Sequence, residues 1–343
     1  MENNKRTELS DLGEFGLINR LKEKVVLRNP ETQTGIGDDA AVVENRNELT
    51  LVSTDILAEG VHFDLTYTPL RHLGYKAVAV NVSDIAAMNG VPKQIVVGIA
   101  LSNRFSLEAI EELYEGINQA CEDYNVDLAG GDTTSSRSGL IISVTVLGEA
   151  KKEEVAYRSG AQVNDLICVT GDLGGAYIGL QLLEREKQVF KHDPDMQPQL
   201  SDKEYVVRRQ LKPEARMDVT YDLKELKIKP SSMIDISDGL ASELLHICKA
   251  SNVGARIYED KLPVDSMTFD TAREFNLDPT TVALNGGEDY ELLFTVNQSA
   301  FDKIKNHPDI TIIGHITEHS DGVQLITGGG NILPIKAQGW VHF

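Results

Sequence analysis

The chain lacks any apolar run approaching the ~18 residues a membrane-crossing helix needs, and its opening residues, Met1 to Ser10, are too polar for a signal peptide. A cytoplasmic protein with no membrane partner is expected. Cysteine is scarce. Cys121, Cys168 and Cys248 are odd in number and far apart, which fits neither a disulfide framework nor a zinc site. Positive charge is also short: 33 Lys and Arg stand against 53 Asp and Glu, a formal net charge of -20. Nucleic acid is therefore not an expected partner, because phosphate backbones are bound by clustered Lys and Arg. The familiar nucleotide signatures are missing too. There is no Gly-Lys dipeptide and so no GxxxxGK[ST] loop, no HRD followed by DFG, and no HExxH pair among the eight histidines.

What is present is an ordinary globular composition, 41% hydrophobic, in 343 residues, a length that suggests about two domains. The runs Leu49 to Ser53, Ile95 to Leu101 and Leu140 to Leu147 read as strands. An Ala-rich helix over Leu70 to Met88 lies between the first two, with Asn81 and Asp84 on one face at i, i+3 spacing. A second helix follows Ser106, with Leu107, Ile110, Leu113, Ile117, Ala120 and Tyr124 forming its apolar stripe. The charged stretch Gly148 to Tyr157 lacks apolar periodicity, and the domain boundary is expected there, dividing the chain into 1–150 and 151–343. The second half opens with a strand over Leu166 to Thr170, a turn at Gly171, Gly174 and Gly175, and a helix through Ala176 to Leu183. Strands are predicted at Ser232 to Ile236, Leu292 to Val296 and Ile310 to Ile316, and a solvated insertion at Glu184 to Asp202.

Aspartates recur beside glycine or small polar residues at the ends of these elements: Gly37-Asp38-Asp39, Ser53-Thr54-Asp55, Ser83-Asp84, Gly130-Gly131-Asp132 and Asp235-Ile236-Ser237-Asp238-Gly239. Any one of them is explained by a turn or a helix cap. Together they suggest more, because Asp55 and Asp235 end or follow apolar strands, where α/β proteins gather binding groups. Scattered carboxylates without His or Cys clusters suit a hard cation such as Mg²⁺. Bound cations also reconcile an acidic protein with polyphosphate chemistry.

The strings GIGDDAAV (Gly35 to Val42), STD with GVHF (Ser53 to Asp55, Gly60 to Phe63), NVSDIAAM (Asn81 to Met88), AGGDTT (Ala129 to Thr134), YRSGA (Tyr157 to Ala161), DISDGL (Asp235 to Leu240) and NGGEDYEL (Asn285 to Leu292) resemble, in order and spacing, the thiamine-monophosphate kinase family. The resemblance runs from about Glu14 to Phe343. It implies an α/β, two-domain fold of the aminoimidazole ribonucleotide synthetase type, with the N-terminal domain pairing in a homodimer and the site between domains. It implies ATP-dependent phosphorylation of thiamine monophosphate, with several Mg²⁺ ions and ATP as co-substrate. By motif position, Asp38, Ser53, Thr54, Asp55, Asp84, Asp132, Asp235 and Asp238 are implied metal ligands; Tyr114, Gly131, Asp132, Arg158 and Ser237 are implied ATP contacts; His62, Glu288 and Trp340 are implied substrate neighbours.

No catalytic base is required, because a phosphate monoester with a second pKa of about 6 is already largely ionised at neutral pH. Trp340, the only tryptophan, suits a cationic thiazolium and a flat pyrimidine, although C-terminal packing would also explain it. His62 equally fits a core histidine, and Arg158 an interdomain ion pair. Two other functions remain. One is a different ATP-dependent enzyme of the superfamily, against which GVHF, GGEDYEL and the absence of an N-terminal or C-terminal cysteine argue. The other is a non-catalytic nucleotide or metal sensor, against which the intact set of aspartates argues.

Overall fold

A computed structural model describes residues 32–34, 37–45, 48–196, 198 and 200–337. The first half contains β1 (Thr32–Thr34), β2 (Ala41–Asn45), β3 (Glu48–Ala58), α1 (Leu70–Ala87), β4 (Val91–Leu101), α2 (Leu107–Tyr124), β5 (Asp127–Ser135) and β6 (Ile141–Ala150). Its strands form one sheet in the order β1-β2-β3-β6-β4-β5. All neighbours are antiparallel except β4 and β5, which the α2 crossover joins in parallel.

Helix α1 is buried over most of its length, as a helix with apolar residues on nearly every side must be, and its few polar groups, Lys76, Asn81, Ser83 and Asp84, are turned to partners inside the protein. It lies against β3, β6 and β4, against α2, and against β8 of the second half. Two glycines set how closely α1 and α2 approach: a Cβ on Gly74 would stand 2.0 Å from the Leu113 carbonyl oxygen, and one on Gly116 1.8 Å from that of Arg71. The backbones touch there, so any side chain would force the helices apart. Ser106 caps α2, its hydroxyl accepting from the Ala109 amide at 3.3 Å, and left-handed Asn125 ends it. The α2 stripe buries Leu113, Ile117 and Ala120, but Leu107, in the first turn, is 69% exposed.

The second half contains β7 (Leu166–Thr170), α3 (Gly175–His192), α4 (Glu204–Leu211), α5 (Met217–Glu225), β8 (Ser232–Asp235), α6 (Leu240–Ser251), β9 (Gly254–Tyr258), α7 (Ser266–Glu274), α8 (Pro279–Asn285), β10 (Leu292–Val296), β11 (Ile310–Thr317), β12 (Val323–Ile326) and β13 (Ile332–Pro334). Its sheet runs β13-β12-β9-β11-β7-β10-β8, parallel only between β12 and β9. Among the described residues no helix is long and apolar enough to cross a membrane.

The segment expected as an insertion from Glu184 is helical as far as His192. Lys187 bridges Glu184 and Arg185 pairs with Glu186, which is itself buried with Ile178, Leu182 and Leu183. Charge density concealed an amphipathic helix. One apolar cluster runs from the first sheet through α1 into Met217, Val219, Leu223, Met233 and Phe294 of the second half. A second cluster fills the other face of the second sheet with Leu240, Leu244 and Ile247 of α6. The two halves therefore share a core, and α1 is its centre.

Candidate functional site

The inner face of β3, the middle of α1, the end of β8 and the approach to β2 converge on one acidic cleft. Strand alternation puts Ser53 and Asp55 on the face toward α1. The Ser53 hydroxyl donates to Asp84 Oδ2 at 2.5 Å, and the Asp55 amide donates to Asn81 Oδ1 at 3.0 Å. Asn81 in turn donates to the Ala77 carbonyl one turn back on α1, which fixes its amide orientation. Ser83, beside Asp84, donates to Asp235 Oδ2 at 2.7 Å and so ties α1 to the end of β8. Carboxylate oxygens of Asp39, Asp84 and Asp235 lie within 4.8 Å of one another. The cleft is lined by Asp55, Ile56, Leu57, His62, Val80, Asp84, Asp235, Ser237 and Tyr290.

Such crowding has an electrostatic signature. Burial, then the charges of Asp55, Asp235 and Asp39, push the Asp84 carboxyl well above the usual carboxylate range. Burial, then Asp39, pushes Asp235 up to about 7, with Ser83 and Arg158 opposing. Burial alone pushes Asp55 up to about 6, and burial with Asp39 pushes Asp38 up to about 6. Arg158 is the cation that answers them: its Nε and Nη2 donate to the two oxygens of Asp39 at 2.9 and 2.8 Å, a bidentate fork.

The structure thus gathers Ser53, Asp55, Asp84, Asp235, Ser237, His62 and Arg158 around one space. His62 Nδ1 accepts from the Ala58 amide at 3.0 Å, which leaves the proton of a neutral ring on Nε2. Other expected residues lie elsewhere. Of the Asp38-Asp39 pair it is Asp39 that enters the carboxylate group; Asp38 accepts from the amides of Asp39 at 3.1 Å and Arg158 at 3.3 Å. Thr54 is on the opposite face of β3, its hydroxyl donating to the Val144 carbonyl at 2.9 Å and accepting from the Thr145 hydroxyl. The one-residue step from Ser53 makes this unavoidable. Gly131 and Asp132 are exposed on edge strand β5, and Tyr114 is half-buried on α2; none of them lines the cleft. Asp238 is outside the three-carboxylate group, where its amide donates to Glu243 at 2.9 Å. Glu288 pairs with Lys76 of α1 at 2.9 Å. Trp340 is outside the described residues.

Asp39, Ser83, Lys76 and Tyr290 are functional candidates to which the motifs assign no role, and Asn81, placed on the Asp84 face by its spacing, joins them. Asn81 and Ser83 belong to the same string as Asp84, and their i, i+3 and neighbouring placement was the available signal. Apart from the His62 ring, the cleft's donors are carboxylate and hydroxyl oxygens, and neighbouring carboxylates raise the proton affinity of Asp84 and Asp235, with Arg158 in opposition at Asp235. Both features fit a hard divalent cation, which neutralises just such a group.

Comparison with known proteins gives a consistent result. Residues 37–150 match the family described as AIR synthase related protein, N-terminal domain, and residues 162–326 match AIR synthase related protein, C-terminal domain. Thiamine-monophosphate kinase of Bacillus subtilis strain 168 is 35% identical over 97% of this chain and 100% of its own length. That of Aquifex aeolicus strain VF5 is 35% identical over 98% of this chain and 99% of its own. The solved structure of AaThiL complexed with AMPPCP and TMP superposes with a TM-score of 0.85 at 33% identity, over 99% of this chain and 100% of that one. The full-length similarity to curated kinases of one activity, carried on both matched domains, places the chain in the thiamine-monophosphate kinase family.

Proposed function

We propose that this protein transfers the γ-phosphoryl group of ATP directly onto the phosphate of thiamine monophosphate, giving thiamine diphosphate and ADP. The observation that carries the reading is the cleft where Asp39, Asp55, Asp84 and Asp235 meet from both halves of the chain, in a protein whose relatives are kinases for this substrate over their full length. Bringing two polyanions together is chiefly a problem of charge neutralisation and in-line positioning. Bound Mg²⁺ supplies the neutralising charge. Asp39, Asp55, Asp84 and Asp235 are its ligands in this reading, with Ser53 orienting Asp84 and Ser83 orienting Asp235. Asp132 and Asp238 are ligands for further ions, on the family's motif positions.

Arg158, Ser237, Gly131 and Tyr114 hold the nucleotide. Arg158 pairs with Asp39, and its guanidinium would also suit a phosphate oxygen. His62, Glu288 and Trp340 receive the thiamine moiety. No residue acts as a base, because the acceptor phosphate is already ionised. The units of the reading are residues 1–150, which carry metal and nucleotide ligands, and residues 151–343, which complete the site.

A homodimer belongs to the same reading. The outer face of the first sheet exposes Ile56 (59%) and Val96 (37%) beside Thr54, Ser143 and Thr145, and among the described residues edge strand β5 is exposed along most of its length. An uncharged face next to an open strand edge is a surface that a second copy would shield. The reaction is placed in the cytoplasm, a reducing compartment, where Cys121, Cys168 and Cys248 stay free thiols.

The test is a product assay with purified protein, Mg²⁺, ATP and either thiamine monophosphate or thiamine, following ADP and thiamine diphosphate together. The two products should form one to one, from the monophosphate only. ADP release without thiamine diphosphate, or nucleotide binding without ADP, would replace the reading with another synthetase of the superfamily or with a sensor.

A further inference from the structure

Helix α1 carries a polar stripe that serves more than the carboxylates. Lys76, Val80, Ser83 and Asp84 follow one another at i, i+4, i+7 and i+8 and share one face. Val80 and Asp84 line the cleft, and Ser83 holds Asp235. Two turns before Asp84, the Lys76 side chain is only 3% exposed, and its ammonium donates to Glu288 Oε1 at 2.9 Å and to the Gln210 carbonyl at 3.3 Å. The other carboxylate oxygen, Oε2, accepts from Gln210 Nε2 at 2.8 Å. Glu288 is therefore gripped from both sides, by α1 of the first half and by the last turn of α4 in the second.

The backbone beneath this clamp is held as firmly. Gly287, Glu288 and Tyr290 all have positive φ, +73°, +57° and +52°, a region costly for residues with side chains. The loop stays there because the Glu288 amide donates to the Ser237 carbonyl at 2.6 Å and the Tyr290 amide to that of Ile236 at 2.9 Å. Asp289 between them accepts from the amides of Gly174 and Ala176 at the start of α3. Tyr290 is part of the cleft wall, so a fixed Glu288 is a fixed anion beside the cleft. A buried lysine is a poor way to gain stability, because its desolvation offsets much of its ion pair. What an ion pair gives that an apolar pair does not is a carboxylate of set charge and orientation.

We propose that Lys76 and Gln210 are positioning residues for the acceptor substrate: they fix the Glu288 carboxylate in one orientation, so that its remaining acceptor positions meet the amino group of a cationic, aminopyrimidine-bearing ligand. The proposal rests on the reading of Glu288 as a substrate contact. Each carboxylate oxygen has two acceptor sites and the clamp uses one of each, so the clamp and the substrate do not compete.

The experiment measures KM for thiamine monophosphate and for ATP in Lys76→Met, Gln210→Met, Glu288→Gln and the Lys76→Met/Glu288→Gln pair. Hydrogen bonds to charged groups of this kind are worth roughly a tenfold change or more. Lys76→Met should raise KM for thiamine monophosphate at least about tenfold and leave KM for ATP within about twofold. Gln210→Met, which removes no charge and spares the fold if Lys76→Met does not, should move the same constant in the same direction. The double variant should be no worse than Glu288→Gln alone, because both changes disable one anchor. Equal rises in both KM values, or additive losses in the pair, would reduce Lys76 to packing and overturn the proposal. A rise for Glu288→Gln with none for Lys76→Met or Gln210→Met would overturn it while leaving Glu288 in its role. No rise for Glu288→Gln would remove both.

Discussion

Two groups of buried carboxylates stand on either side of the second sheet's end, and they are built on opposite rules. In one, Glu291 receives Arg209 on Oε1 at 2.9 Å, Arg216 on Oε2 at 2.8 Å, and the Thr170 hydroxyl at 2.5 Å. Asp289 caps the start of α3 and lies 3.6 Å from Arg209, and Asp172 accepts from Tyr205. In the other, Asp38, Asp39, Asp55, Asp84 and Asp235 are answered, among the described residues, by the single cation Arg158. Burial is not the difference: it is the largest cause for both Asp289 and Asp235, and each carboxyl stands at about 7. The next causes differ. Arg209 and two helix amides pull Asp289 down, whereas neighbouring carboxylates push Asp84 and Asp235 further up. A paired cluster supports the fold; an unpaired one stores a demand for cations that the fold does not meet.

The comparison breaks most visibly at Asp84. Asp84→Asn is expected to lower turnover on the order of 10³-fold at ordinary Mg²⁺, because metal-assisted charge stabilisation is worth several kcal/mol; steady-state kinetics with an unchanged circular dichroism spectrum would show it. In the paired cluster the same kind of change should act on stability instead. Glu291→Gln leaves Arg209 and Arg216 short of a partner and is expected to cost about 3 kcal/mol, measured by denaturant unfolding.

Proton linkage separates the clusters next. Asp55, Asp38 and Asp235 have folded-state values of about 6, about 6 and about 7, above the ordinary carboxylate value. Their contribution to stability is therefore complete below about pH 4 and is lost as pH rises through 6 to 7. Mg²⁺ competes with those protons. Its stabilising effect on the thermal midpoint should be small at pH 5 and grow toward pH 8, read as the difference between chelator and Mg²⁺ melts at each pH. The smallest expected effect is Tyr205→Phe, which takes one donor from Asp172 and should cost about 1 kcal/mol with kinetics intact.

Much of this site was legible because its residues are anchored to elements with clear periodicity. Asp235 ends β8 and Asp84 sits on an apolar helix, so placing those elements placed their carboxylates; Asp55 instead lies within β3, which runs on to Ala58 rather than ending at Ser53. The Asp38-Asp39 choice was not legible: adjacent residues of one kind differ only in which way the backbone turns them on entering β2, and Asp39 faces Asp84 while Asp38 ties the turn to Arg158. Thr54 was legible in principle, since period-2 alternation separates it from Ser53. Lys76 and Glu288 are 212 residues apart in sequence, and only the docking of α1 against the second half joins them. The helical end of α3 was hidden because surface charge was read as solvated chain.

The most direct test of the unpaired cluster is the thermal midpoint of Asp84→Asn against the natural protein, both in chelator at pH 8. Removing one of several mutually repelling carboxylates should raise the midpoint, by an amount on the order of 1 kcal/mol of stability, and abolish most of the further rise on adding Mg²⁺. A lower midpoint in chelator, with the Mg²⁺ response retained, would mean that Asp84 is already compensated within the fold and that the cleft was not built for cations.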